Sequence, residues 1–369
     1  MGVDTPVTCV AAAAYRIPTD SPEADGTITW TSTTMVVVRA HAGGRIGTGW
    51  TYGAAACRDL IADNLAGVVT GRDAFDVPGA NDAMGRAARN IGRLGVAACA
   101  ISAVDVALWD LKARLLDLRL ARLLGRARDT VPIYGSGGFT SYDDNQLCTQ
   151  FGRWVHEQGI PRVKMKIAES WGGRVDRDLA RIARAREVIG ADAELYVDAN
   201  GGYTRKQAIR VADAAADCDV RWFEEPVSSE DLAGLHEVRE HVTADVAAGE
   251  YGYDLNYFAR MVQAGAVDCL QADLSRCGGI TEWQRVAAVA AANNLQISGH
   301  CAPHLHLDVA AATANLRHLE WFHDHVRIAG MLFDGVAEPD AGGVLVPDMS
   351  RCGHGLEFRD EAASAYRIA

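Results

Sequence analysis

Residues 194–250 read ELYVDANGGYTRKQAIRVADAAADCDVRWFEEPVSSEDLAGLHEVREHVTADVAAGE. Three short apolar runs, Glu194–Val197, Trp222–Glu224 and Val246–Ala248, each end on or just before an acid: Asp198, Glu224 and Glu250. Successive acids are 26 residues apart. Near-continuous apolar runs of this length suit strands buried on both faces of a parallel sheet. Between them lie helical patterns with polar starts, Thr204 with Gln207 and, more loosely, Ser228 with Asp231. Strand, helix, strand at one fixed interval is the βα repeat.

The same rhythm continues in both directions. Val131–Tyr134, Val163–Ile167, Cys269–Ala272 and Gln296–Ser298 read as further buried strands, Leu316–Trp321 as an eighth, and Thr281 with Gln284 as another capping box. Eight βα units across residues 131–335 predict an α/β chain closed into a (β/α)8 TIM-type barrel. Residues 1–125 differ. Two strand-like runs, Thr8 to Ile17 and Thr34 to His41, are punctuated by the polar segment Pro18 to Gly26 and the turn Gly43-Gly44. A long helix follows from Val96 to Leu124, with Val104, Leu108, Leu111 and Leu115 on one stripe and Gly125 at the C-cap. Strands followed by helices make this an α+β domain. The tail, residues 336–369, reads as loops and turns that return to it.

Of 369 residues, 49% are hydrophobic and 23% charged, an ordinary globular composition. No run reaches the roughly 18–20 apolar residues of a membrane span. The start, MGVDTPVTCV, lacks a secretory pattern, and nine scattered cysteines suit a reducing compartment, so a cytoplasmic location is expected. A net charge of −12 excludes nucleic acid and anionic membrane as partners. An anionic substrate would then need a local source of positive charge.

Ionisable residues recur at strand ends: Lys164 and Lys166, Asp198, Glu224, Glu250, Asp273, His300 and Glu320. The C-terminal ends of barrel strands are where such enzymes do their chemistry. A rim salt bridge would explain any one of these residues; one shared role better explains three acids at single-repeat spacing. Three half-withdrawn carboxylates need a divalent cation, and an all-oxygen donor set selects Mg2+. Lys164 and Lys166, either side of Met165, point to the same side of their strand. Their mutual repulsion is expected to lower the pKa of at least one toward general-base duty, and the pair supplies the missing positive charge. His300, one repeat past Asp273, reads as an imidazole oriented by a carboxylate.

The ordered set VKMKI (163–167), VDAN (197–200), FEEP (223–226), AAGE (247–250), QADLSRCGG (271–279) and the His300–Glu320 segment resembles the enolase superfamily, mandelate racemase subgroup. SAVDVALWDLKARL (102–115) is similar to the family's N-terminal capping domain, so the resemblance covers nearly the whole chain. It implies Mg2+ on Asp198, Glu224 and Glu250, and a substrate carboxylate on the metal and Lys164. It further implies Lys166 and His300–Asp273 as acid/base groups on opposite faces, Glu320 on the enediolate oxygen, and Asn200 on the substrate or a metal ligand. It also implies a homo-oligomer and a small-molecule carboxylate substrate.

Weaker signals remain. Cys301, His304 and His306 match no structural zinc spacing, though His304 or His306 could contact substrate. His318, His323 and His325 are expected on the rim, and Gly135-Ser136-Gly137-Gly138 as a substrate-side loop. Asp20 and Glu23, with Asp25, lie where the family's specificity loop would be and are candidates for binding substrate hydroxyls. The family pattern and this polar loop favour dehydration of a sugar acid to a 2-keto-3-deoxy acid. The alternatives are racemisation or epimerisation of a 2-hydroxy acid and, in another class, a metal-binding scaffold without catalysis.

Overall fold

The computed structural model describes residues 5–369. Its barrel runs β4 (Val131–Gly137), β5 (Arg162–Lys166), β6 (Glu194–Asp198), β7 (Val220–Glu224), β8 (Asp245–Ala248), β9 (Cys269–Ala272), β10 (Gln296–Gly299) and β11 (Leu316–Phe322). Each strand pairs parallel with the next, and β11 closes on β4 with Glu320 opposite Tyr134. The eight sequence-predicted strands are these eight, extended by at most a few residues. Alternation along each strand sorts the side chains: Val163 and Met165 join the shell under the helices, while Lys164 and Lys166 point inward.

The interior is layered. Its floor is an aromatic plug of Tyr134, Tyr196 and Trp222, with Tyr196 stacked on Trp222 at 5.6 Å. His318 belongs to this floor, not to the rim; it stands two residues before Glu320 and so faces inward, 4.7 Å from Tyr134 and 5.1 Å from Trp222. Burial holds its pKa well below the ordinary value, which keeps the imidazole neutral. GSGG is not a loop either, since residues 135–137 are the last of β4.

Ahead of the barrel, β1 (Cys9–Ala24), β2 (Thr29–Ala42) and β3 (Arg45–Tyr52) form an antiparallel sheet. The segment expected to be a polar loop is instead the end of a long hairpin, with an irregularity between Pro18 and Glu23. β3 escaped the sequence reading because glycines interrupt it. They are required there: a Cβ at Gly47 would sit 2.2 Å from the Ala107 carbonyl, and at Gly49 2.3 Å from that of Ala103. Those carbonyls belong to the helix Val96–Leu115, which lies directly on β3. The helix stops at Leu115, short of Leu124; Asp117 turns left-handed, and Gly125 caps a separate short helix, Leu120–Leu124. In that break Arg119 makes a buried, two-pronged ion pair with Asp308, at 2.6 and 2.8 Å.

None of the three capping pairs forms as the sequence suggests. Thr281 lies inside the helix Gly279–Ala292 and donates its hydroxyl to Asp105, 2.6 Å away. Asp231, not Ser228, caps Leu232–Arg239, while Thr204 precedes its helix without a side-chain cap. The tail is more ordered than loops alone. Val344–Leu345 pairs antiparallel with β4, and Ala369 and Ile368 exchange backbone hydrogen bonds with Ala14 of β1. Among the described residues no helix is long and apolar enough to cross a membrane.

Candidate active site

All eight strands deliver a polar side chain to the barrel mouth. Several are followed at once by a left-handed residue: Ala168, Asn200, Glu225 and Cys301 have φ between 39° and 62°. Non-glycine residues there cost about 1–2 kcal/mol each, strain typical of functional sites. The turn takes the backbone away while the preceding side chain stays aimed into the barrel. Arg181 secures the end of β5, donating to the carbonyls of Lys166, Gly138 and Phe139.

Asp198, Glu224 and Glu250 are buried, and each offers an oxygen within 4.8 Å of the others. Burial and the Asp198 charge push the Glu224 carboxyl up to about 8. Glu250 Oε2 is buried without a hydrogen-bond partner; His300 Nε2 is 3.2 Å away but not aligned as a donor. A carboxylate cluster that resists full ionisation and leaves an oxygen orphaned is a good fit for a hard divalent cation. Glu224 is held in place from below: Trp222 Nε1 and Gln271 Nε2 both donate to Oε2, at 2.9 Å.

The lysines behave differently from the sequence expectation. Lys164 Nζ lies 2.5 Å from Glu224 and 2.8 Å from Glu320, and Lys166 Nζ 2.5 Å from Asp198. Desolvation lowers both pKa values, but these carboxylates outweigh both it and the mutual repulsion, so both lysines are raised. In the protein alone, neither is a poised base. Glu320 is ligated on every side, by Ser136 Oγ at 2.6 Å, by Lys164, and by the Cys301 amide at 2.7 Å. Burial raises its pKa, but Lys164 and His300 more than reverse this, so here it accepts hydrogen bonds and donates none.

His300 Nδ1 lies 2.8 Å from Asp273 Oδ2, which turns Nε2 toward the cavity. Desolvation disfavours its charge, yet Cys301, Glu250, Glu320 and the Asp273 hydrogen bond hold its pKa well above the ordinary value. Asn200 donates its backbone N–H to Asp198, and its side-chain Oδ1 is buried without a donor.

Over this mouth lies the β1–β2 hairpin. Trp171 donates its amide to the Gly26 carbonyl at 2.9 Å, and the Thr140 hydroxyl donates to the Asp25 carbonyl at 2.6 Å. The cavity between them, about 390 Å³ and open to solvent, has Lys166, Asn200, Glu250 and His300 on the barrel side and Asp25, Trp30, Thr34 and Tyr52 on the other. Of the candidate acids in the hairpin, only Asp25 lines it. Asp20 pairs with His323 at 2.8 Å near the surface. Glu23 is buried behind Trp30, whose indole N–H it accepts at 2.7 Å. His304 and His306 also point elsewhere, to the Ala337 carbonyl and to the Leu274 amide. His325 is not on the rim but buried against the cavity, stacked on Tyr52 at 3.6 Å.

Period-two alternation could have exposed Trp222 and Gln271, which stand two residues before Glu224 and Asp273. Tyr52 and His325 carry no comparable signal, because one comes from the far domain and the other from a helix.

Family models match both parts of the chain: Mandelate racemase / muconate lactonizing enzyme, N-terminal domain over residues 9–125, and Enolase C-terminal domain-like over residues 146–362. A 3,6-anhydro-alpha-L-galactonate cycloisomerase from Streptomyces coelicolor is 34% identical over 353 residues, 93% of this chain and 94% of the relative. A mandelate racemase/muconate lactonizing enzyme-like protein from Rubrobacter xylanophilus superposes with a TM-score of 0.95 at 48% identity, over 98% of this chain and 100% of that one. L-talarate/galactarate dehydratase from Salmonella typhimurium, solved with Mg and L-lyxarohydroxamate, has a TM-score of 0.90 at 26% identity, over 100% of this chain and 94% of that one.

Proposed function

This chain belongs to the enolase superfamily, in its mandelate racemase subgroup, and on that premise we propose that it is a sugar-acid dehydratase using Mg2+. Magnesium-dependent removal of a proton beside a carboxylate is the chemistry common to such enzymes. The observation that favours elimination is His300, oriented by Asp273 and aimed into the cavity across from Lys166, with the surrounding acids favouring its protonated form. A protonated imidazole is the acid that a departing hydroxyl needs.

Asp198, Glu224 and Glu250 would hold the cation, whose charge stabilises the dianionic enediolate. Lys164 meets the substrate carboxylate, drawn from its position between Glu224 and Glu320. Glu320, beside Lys164, would face the enediolate oxygen from the far side of that ammonium group. Lys166 removes the C2 proton. As a base it must be neutral, and Asp198, which stabilises its charge in the protein alone, would also be a ligand of the cation. With its carboxylate turned to the cation, Asp198 would stabilise the ammonium form less, which favours the neutral lysine. His300 then protonates the C3 hydroxyl as it leaves, and the enol becomes the 2-keto-3-deoxy acid.

Incubation with Mg2+ and a library of sugar acids, read for 2-keto acid and for C2 hydrogen exchange in D2O, tests this. Keto acid formation is expected. Exchange with inversion and no keto acid would move the reading to a racemase or epimerase. Turnover of only anhydro-sugar acids would favour a cycloisomerase, the activity of the 34% identical relative. Metal binding without any exchange would leave a scaffold.

A further inference from the structure

The two walls of the cavity carry different charge. Lys166 and Arg276, the only lysine and arginine lining it among the described residues, both lie at the metal end. Arg276 is already engaged, 3.2 Å from Glu250 and 3.4 Å from Asp273. The opposite wall, contributed by the hairpin and β3, presents Trp30, Ser32, Thr34, Tyr52 and one charged group, Asp25. Asp25 Oδ1 accepts from the Thr27 amide and hydroxyl and the Ile28 amide, at 2.5 to 2.9 Å, while no protein donor is directed at its Oδ2. Arg260 lies in an adjoining hollow that also holds Glu225 and Glu230, and Arg177 pairs with Glu169 and donates to the Thr140 and Tyr142 carbonyls.

His325 completes that wall. Its Nδ1 accepts the Ala302 amide at 3.2 Å, which leaves the ring proton on Nε2. Nε2 then faces the cavity as a donor with no protein acceptor among the described residues. Burial pushes the pKa of this ring down to about 3, so it presents a neutral N–H across the working range.

From these placements we infer that the substrate is a monocarboxylic polyol whose far end is read by His325 Nε2–H, and that Asp25 rejects a diacid. The inference rests on the sugar-acid reading and narrows it. A second carboxylate against this wall would meet Asp25 and no cation, and like charges brought together are a strong means of exclusion. A hydroxyl oxygen there instead receives the His325 proton, and the free hydroxyls of Ser32 and Thr34 can complete its bonding. A hydroxyl can also donate to Asp25 Oδ2, which an ionised carboxylate, an acceptor only, cannot do.

The test pairs five- and six-carbon aldonic acids with the corresponding aldaric acids, all with Mg2+, read as keto acid formation and as C2 exchange in D2O. A preference for the monoacids of about tenfold or more in kcat/KM is expected. Asp25→Asn, which keeps the Oδ1 acceptor, should shrink that preference by improving the diacids. His325→Phe, which keeps the stack on Tyr52, should raise KM for the preferred monoacid about tenfold, more than it lowers kcat. His325→Gln, which retains an N–H donor, should recover part of the loss, and an acid truncated beyond C3 should be insensitive to both. A diacid used as well as its monoacid would overturn the inference and leave the dehydratase reading intact. An unchanged KM in His325→Phe would remove His325 from it. No turnover or exchange with either set would overturn both readings.

Discussion

The barrel wall and the hairpin wall of the active site are built on opposite plans. On the barrel side the functional groups sit at the ends of successive strands and are braced by neighbours, as Glu224 is by Trp222, Gln271 and Lys164. Charge there is dense and cross-compensated. On the hairpin side one β-ribbon and β3 supply most of the lining, the groups are polar or aromatic, and Trp30 is supported by an acid that never reaches the cavity. A rigid strand-end array suits chemistry that must not vary. A ribbon laid across the mouth can change its lining without disturbing the array, which makes it the natural seat of substrate choice.

The largest effects should come from the barrel wall. Lys166→Ala and His300→Asn are each expected to reduce turnover roughly 10³-fold or more while Mg2+ still binds, measured by steady-state rates beside metal titration. A fully active variant of either would break the two-face assignment. Next, Gln271→Leu removes a donor from Glu224 and should weaken Mg2+ binding about 10- to 100-fold, with kcat largely restored at saturating metal. Unchanged affinity would mean that the bracing from below does no tuning. Trp30→Ala on the hairpin wall should act mainly through KM, by about tenfold, leaving C2 exchange at saturation close to wild type. A collapse of exchange would erase the distinction between the walls.

The smallest effect concerns Glu23. Burial, then the neighbouring Asp324, raises its pKa from the ordinary 4.5 to about 8. An acid raised in the folded state adds stability that is complete below the unfolded pKa and is lost as pH climbs through the folded one. Wild type should therefore lose this contribution between about pH 4.5 and 8, whereas Glu23→Gln keeps a neutral partner for Trp30 throughout. The Tm of the variant should gain on wild type toward alkaline pH, by about 2 °C. A gap that does not depend on pH would show that Glu23 is not the titrating group.

The same contrast governs what could be read from sequence. Asp198, Glu224 and Glu250 were legible because a βα repeat imposes one interval on all three, and Lys164 and Lys166 because a strand has period two. The hairpin has no repeat to count. Its polar composition at residues 18–26 suggested a loop, while the pairing of Glu23 with Trp30 and Ala24 with Thr29 makes it strand. Local composition cannot report a partner across the ribbon. Glu23 is a candidate substrate ligand in sequence because it lies where the family's specificity loop would be, and only the folded neighbourhood reveals that it supports Trp30. The raised pKa of Lys166 escaped for a related reason. Its neighbour in sequence is a lysine, but its neighbour in space is Asp198, on the next strand.

The aromatic floor of Tyr134, Tyr196, Trp222 and His318 makes the barrel a vessel with a single opening. Lys164 and Glu320 lie fully buried above that floor, while Lys166 lines the cavity itself. A hydrogen isotope passed from C2 to Lys166 therefore trades with solvent on the mouth side and not through the floor. The rate at which C2 label washes out becomes a gauge of how tightly a bound acid stops that mouth.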